Sequence, residues 1–431
     1  MKNLTWQNPE QLFVAQVLIN KVKSKCCGIK DNKFIFIFET DSERYKYYYE
    51  KTLDIVVTEA FEHNFELGLY FIGVIIKKNP IEYIPNKAFR VTLLTEQNTN
   101  SLWSKLQQHS SFDNKEIWEM SFYHYIPDSL ICDKYIQAVK HTISNWKSTS
   151  LLNLRSIKKF FVVDPNLLND IFEIIAEKNE NNEIIHISGY DLEDIFMDLL
   201  EANIELGKRI YIKQAAIQHH FDYQKGMLSS LLIKDSKFLI NYINALYFNN
   251  STKCKLDNDS VLSIVWNIDS IEDVLIEVFE MFCKEKPYFI SKHFCNSFFR
   301  NMSVEAKERA GLFLLDYCKQ NYNDTQKINI IVDIARNSMK EYYSRILLLY
   351  ISLTQDKDMF SEIYWCLSEG VYAGNVIIGD VEAAKWHNVL SIVNQSNIGY
   401  RLIPIKQFIN EQIEICQRSA EKDRRYRFIE R

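Results

Sequence analysis

The sequence predicts a mostly α fold: a small N-terminal α/β (α+β) module, followed by a large α-helical region. That region is solenoid-like toward its C-terminal end, in the manner of HEAT or TPR arrays. Three observations carry this expectation. First, glycine and proline are scarce, 11 and 7 in 431 residues, about 4 % of positions where average usage gives about 12 %. Sandwiches, barrels and propellers need turn residues every ~10 positions, and this chain lacks them. Second, after about residue 97 the apolar period becomes helical, and segments of helical length follow one another with short polar links. Third, helix starts near 291, 325 and 359 recur about 34 residues apart, the scale of helical repeats. No TPR, armadillo or ankyrin consensus accompanies that spacing. A compact helical domain without repeats gives the same list of helices, so the recurrence alone favours the solenoid. The expected domains are 1–96, 97–234 and 235–431.

The elements follow in order. Asn8, Pro9 and Gln11 form a helix start with a capping-box residue, and Leu12, Ala15, Val17, Leu18 and Val22 make its apolar stripe. Gly28 stops it. Lys33–Glu39 (KFIFIFE) is aromatic and alternating, a strand. Residues 41–64 read as a helix. Glu66–Lys77 (ELGLYFIGVIIK) and Lys87–Leu94 (KAFRVTLL) are β-branched and aromatic and read as two further strands. Beyond 97 only Phe160–Val163 and Glu183–Ile187 are β-like, and both suit helix ends or buried loops equally well. Helices are expected over 128–147, 166–178, 192–206, 210–221, 223–233, 237–248, 261–268 and 271–284. More are expected over 291–302, 304–321, 325–338, 340–354, 359–368, 381–393 and 404–425. Ser270, Ser303 and Asp380 supply start signals.

Composition narrows function. Hydrophobic residues are 47 % and aromatics 13 %, enough for sizeable cores. The net charge of −5 leaves no global basic field for non-specific nucleic-acid binding. Nine cysteines, odd in number and irregular in spacing, fit reduced thiols buried in apolar helices. The N-terminus has no signal-peptide h-region, and the longest apolar run, Leu67–Ile76, is too short to span a bilayer. The expectation is a soluble, cytoplasmic protein with no membrane contact.

Catalytic motifs are missing. Gly207-Lys208 continues into Arg209 with no upstream glycine partner, so no P-loop forms, and no GxGxxG is present. Neither Gly-x-Ser-x-Gly nor the Arg-x4–6-His pattern of HEPN ribonucleases occurs. His219-His220-x-Asp222 is the densest run of potential metal ligands, but adjacent histidines on a helix point about 100° apart. Cys283, His293 and Cys295 likewise read as packing residues. No cofactor and no metal are expected. A degenerate metal-dependent nuclease in the N-terminal module, using acids such as Glu39, Asp41 and Glu66, is the enzymatic alternative.

Three features suit binding instead. Gly370–Gly379 holds three of the 11 glycines. It reads either as a loop that meets a ligand or partner through Tyr372, Asn375 and Asp380, or as a long connection ending at an Asp380 N-cap. The tail Gln417–Arg431 carries a net +3, with Arg418, Arg424, Arg425 and Arg427 interleaved with Tyr426 and Phe428. It suits an acidic protein surface or nucleic acid, and equally a solvated helix end. Tyr45, Tyr47, Tyr48 and Tyr49 suit a contact surface or a core-facing helix with tyrosyl tips in water.

Ala306–Cys318 (AKERAGLFLLDYC), Tyr350–Trp365, and Gly379–Val393 leading into Leu402–Arg427 resemble the helical C-terminal region of bacterial STAND-type NTPase proteins. Such proteins are often antiphage defence sensors. The resemblance covers about the last 130 residues and rests on helix texture. The chain departs from that family in having no NTPase core motif. The resemblance implies a sensor-like piece that recognises another macromolecule, and it transfers no functional residue. The expected function is non-enzymatic recognition by a scaffold or sensor subunit. Its partner would be a protein such as an ATPase or nuclease subunit of a bacterial defence complex. Nucleic-acid binding by the tail is an alternative.

Overall fold

Asn64 decides the conformation of the segment that follows it. Its side-chain Oδ1 accepts from the backbone N–H groups of Glu66 (2.8 Å) and Leu67 (3.3 Å), the bonding of a helix N-cap. In the computed structural model, Phe65–Lys78 is accordingly a helix. The structure describes residues 13, 17, 27–30, 33–36, 42–78, 84–109, 115–147, 150–217, 221–222, 226–248, 260–285, 294–368, 376–396 and 399–429. They form two compact units, Met1–Phe221 and Asp222–Arg431. The division between them falls at 221/222.

In the first unit, β1 (Cys27–Lys30) and β2 (Lys33–Phe36) pair antiparallel, Cys27 opposite Phe36 and Lys30 opposite Lys33. β2 covers Lys33–Phe36, the first four residues of the strand expected over Lys33–Glu39. The other two expected strands are absent from the described residues, and the expected α/β module is not supported. After α1 (Ser42–His63), α2 (Phe65–Lys78) and α3 (Asn86–Thr92) occupy both segments. Burial explains the outcome. Leu69 (8 % exposed), Ile72 (0 %) and Ile76 (2 %) share a helical face, while Tyr70 (46 %) turns out. In α3, Ala88, Phe89 and Thr92 are buried and Val91 is exposed. Packing of one helical face outweighs the strand preference of β-branched residues.

The unit continues through α4 (Glu96–Gln108), α5 (Lys115–Tyr125), α6 (Asp133–Ser144), α7 (Lys158–Val163), α8 (Asn166–Glu180), α9 (Gly189–Ala202) and α10 (Ile204–Ile217). Phe160–Val163 is therefore a helix. Its core is aromatic: Trp103 lies 5.0 Å from Phe122 and 5.8 Å from Tyr135, ring centre to ring centre. Within it Glu119 accepts from Gln107 Nε2 (2.7 Å) and Thr142 Oγ1 (2.8 Å) and pairs with Lys115. Burial pushes the phenol of neighbouring Tyr123 well up, so it stays a neutral hydrogen-bonding partner of Thr142. Residues 183–187 form a loop in which Ile185 and Ile187 are buried while Ile184 is exposed. Asn179 Oδ1 accepts from Ile185 N–H (2.7 Å), Gln214 Nε2 donates to Ile185 O (2.8 Å), and Leu152 bridges Ile187. Two buried amides and this single bridge thus satisfy the backbone of the segment.

The second unit comprises α11 (Gly226–Lys234), α12 (Phe238–Ile243), a 3-10 stretch (Ser260–Asn267), α13 (Glu272–Glu285), α14 (Val304–Asn321), α15 (Thr325–Asn337), α16 (Lys340–Thr354), α17 (Lys357–Glu362), α18 (Tyr364–Ser368), α19 (Ile378–Asn394) and α20 (Ile403–Ile429). Neighbours in sequence are neighbours in space: α14, α15 and α16 pack mutually, and α16 packs on α19. Ser303 caps α14 as expected, accepting from Ala306 N–H (3.2 Å). Asp324 and Asp356 cap α15 and α17 in the same way. Gly311 lets α14 meet α16, since a Cβ there would lie 2.1 Å from the Tyr342 ring. Asp222 does not wait for a metal: its buried carboxylate accepts from Leu228 N–H (2.8 Å) at the start of α11.

The tightest polar knot of this unit is Asp333, 0 % exposed. Its Oδ1 accepts from Asn337 Nδ2 (2.9 Å) and Arg336 Nη2 (3.2 Å), and its Oδ2 from Asn296 Nδ2 (2.9 Å). Ser338 Oγ donates onward to Asn296 Oδ1 (3.2 Å). Removing the carboxylate leaves three side-chain donors, on Asn296, Arg336 and Asn337, without their acceptor. Asp333→Ala is expected to lower the stability of the second unit by about 3 kcal/mol, read as a fall in the urea midpoint. A loss under about 0.5 kcal/mol contradicts this.

Candidate functional site

The long helix α20 presents two faces with different chemistry. Ile405, Ile409, Ile413, Cys416 and Ala420 recur at steps of three and four and are all buried. They lie against α19, whose Ala383, Trp386, Val389, Ile392 and Val393 are buried in turn. The chain is antiparallel here: Trp386 stacks edge-on to Phe408 at 6.0 Å, and Gly379 meets Cys416 and Ala420. A Cβ on Gly379 would stand 2.3 Å from Cys416 O and 2.7 Å from Ala420 N, so the two helices touch backbone to backbone. This is what the last glycine of the Gly370–Gly379 cluster does.

One turn further along the inner face stands Arg424. Its Nη2 donates to both carboxylate oxygens of Asp380, at 2.6 Å each. The pair is half exposed, 52 % and 45 %. Asp380 lies inside the first turn of α19, with Ile377 as the N-cap residue, so it suits the helix dipole without capping. Two residues expected to face a ligand thus meet each other. Tyr372 and Asn375 lie outside the described residues, as do His219, His220 and His293 and the side chains of Tyr45, Tyr47, Tyr48, Tyr49 and Arg427.

The outer face carries Ile415 (50 % exposed), Arg418, Lys422, Arg425 and Tyr426 (71 %). Arg418 Nε donates to its own helix at Glu414 O (3.3 Å). Among the described residues none of Arg418, Lys422 and Arg425 forms an ion pair. Three cations and two large apolar groups therefore stand in water on a helix that is held rigid from behind.

Metal chemistry finds no support among the described residues, where no group of three His, Cys, Asp or Glu side chains converges. Glu66 lies in the first turn of α2, and Glu39 and Asp41 lie outside the described residues. Cys283 and Cys295 are separate packing thiols: burial pushes Cys283 up to about 11 and Cys295 well above its ordinary value, so both are neutral at physiological pH. No helix among the described residues is long and apolar enough to cross a membrane.

Sequence reasoning passed over one feature of this unit. A cavity of about 390 Å³ is lined by Arg336, Lys340, Tyr343, Ser344, Leu367, Lys385 and Asn388. These residues come from α15, α16, α18 and α19, so no local pattern announces them. The chain matches no protein family profile, no curated protein and no solved structure.

The α19–α20 contact separates two kinds of effect. Gly379→Ala is expected to cost about 2–3 kcal/mol, because backbone must yield. Asp380→Ala and Arg424→Ala are expected to cost under about 1 kcal/mol each. Their coupling in a double-mutant cycle is expected near 0.5 kcal/mol and to fall between 0.05 and 0.5 M salt. A salt-independent coupling above about 2 kcal/mol contradicts a solvent-screened pair.

Proposed function

We propose that this chain is a non-enzymatic recognition subunit, a scaffold or sensor, that binds an acidic face of a protein partner through the outer stripe of α20. The observation that carries the reading is the juxtaposition of Ile415, Arg418, Lys422, Arg425 and Tyr426, all exposed, on one helix. Arginine and tyrosine are the residues that dominate interface energies. The Gly379 contact pre-orders the helix, which lowers the entropic cost of docking. Packing of α14 on α15, of α15 on α16 and of α19 on α20 supports a solenoid-like arrangement, an architecture that offers extended binding surfaces without catalytic groups. The resemblance of the last 130 residues to STAND-type helical regions supports a defence setting, with an ATPase or nuclease subunit as partner.

Charge reversal tests the surface. The triple variant Arg418→Glu, Lys422→Glu, Arg425→Glu keeps the inner face of α20 intact and is expected to fold normally. Expressed in its native host beside the wild type, it is expected to lose a specific co-purifying protein at least tenfold. Equal recovery of the same proteins by both forms overturns the reading. Salt-sensitive DNA or RNA binding by the wild type alone assigns the stripe to nucleic acid instead.

A further inference from the structure

We propose that the cavity among α15, α16, α18 and α19 is a binding site for a small phosphorylated molecule. Among the described residues that line it, Arg336, Lys340 and Lys385 are cations and none is acidic. Cations gathered around one concave space raise the local positive potential, and low-dielectric walls focus it. A dianion with several acceptor oxygens is the ligand such a lining is suited to take. Ser344 and Asn388 add neutral hydrogen-bonding groups, while Tyr343 and Leu367 supply an apolar wall. The volume of about 390 Å³ exceeds what a bare phosphate fills, leaving room for an attached group of nucleoside size.

Arg336 is held by Asp333 through Nη2 (3.2 Å), which fixes the guanidinium beside the cavity. The Asp333 carboxylate does not compete as an open acid, since it is fully buried and already accepts from three side chains. One further observation points the same way. It concerns α16, whose first residue is Lys340 and whose N-cap, Met339, contributes no side-chain bond. The cavity therefore lies at the positive end of a 15-residue helix, where anions are stabilised. The carbonyl of Ile334 near the end of α15 is occupied, accepting from Ser338 N–H (2.8 Å) and Met339 N–H (3.1 Å).

This proposal is independent of the outer face of α20. Its test is thermal unfolding of the full chain with inorganic phosphate, pyrophosphate or adenosine monophosphate, sodium chloride holding the ionic strength constant. A saturable rise in the melting temperature is expected with at least one of the three. Lys340→Glu, at an exposed position, and Lys385→Gln are each expected to weaken the apparent affinity tenfold or more. Lys319→Glu, an equal charge change on the exposed side of α14, is expected to leave it unaltered. The proposal is overturned if chloride alone reproduces the rise, if none of the three ligands gives one, or if all three variants respond like the wild type.

Discussion

The second unit depends on one buried charge. Asp333 sits among hydrophobic neighbours with no exposed surface, and an isolated carboxylate there would be costly. Three side-chain donors from Asn296, Arg336 and Asn337 make it tolerable. Each donor is thereby fixed in turn. Asn296 ties the segment before α14 to α15, and Arg336 is placed at the cavity wall with one nitrogen committed and one without a partner. A neutral apolar residue in place of Asp333 would pack a core and would not orient a guanidinium. The carboxylate is thus better understood as a positioning group than as a source of stability. Glu119 plays a comparable part in the first unit, where Gln107, Lys115 and Thr142 converge on it.

Where helices must touch more closely than side chains allow, the chain uses a rare glycine. Gly311 admits the Tyr342 ring and Gly379 admits the backbone of α20. The scarcity that excludes β architectures therefore has a positive counterpart, because glycine placed at a helix crossing sets which pairs interlock. The α19–α20 pair is the clearest case. Its close contact leaves one face of α20 dry and the other exposed, and the exposed face carries Arg418, Lys422 and Arg425 with Ile415 and Tyr426.

Much of the helical architecture was legible in the amino-acid order, and the reasons for the exceptions are physical. Caps such as Ser303 and the long periodic segments over 304–321 and 325–338 read directly, because their signals are local. Glu66–Lys77 misled because isoleucine, valine, phenylalanine and tyrosine favour strands in isolation, while the face formed by Leu69, Ile72 and Ile76 stabilises the helix only once packed. The same stretch did contain the correcting signal, an asparagine at 64 placed to cap it. Asp380 and Arg424 were each visible as charged residues, but their pairing depends on an antiparallel return of 44 positions. The cavity was invisible for the same reason: Arg336, Lys340 and Lys385 come together only through the packing of three helices.

The central claim is that the outer stripe of α20 is a protein-binding surface, and a photo-crosslinking amino acid in place of Lys422 tests it most directly. Crosslinking in the native host, with the same group in place of exposed Leu312 on α14 as the reference, is expected to give one discrete protein adduct at position 422 and none at 312. Adding Arg418→Glu and Arg425→Glu is expected to abolish it. Identical adduct patterns at the two positions, or no protein adduct at 422, would contradict the account.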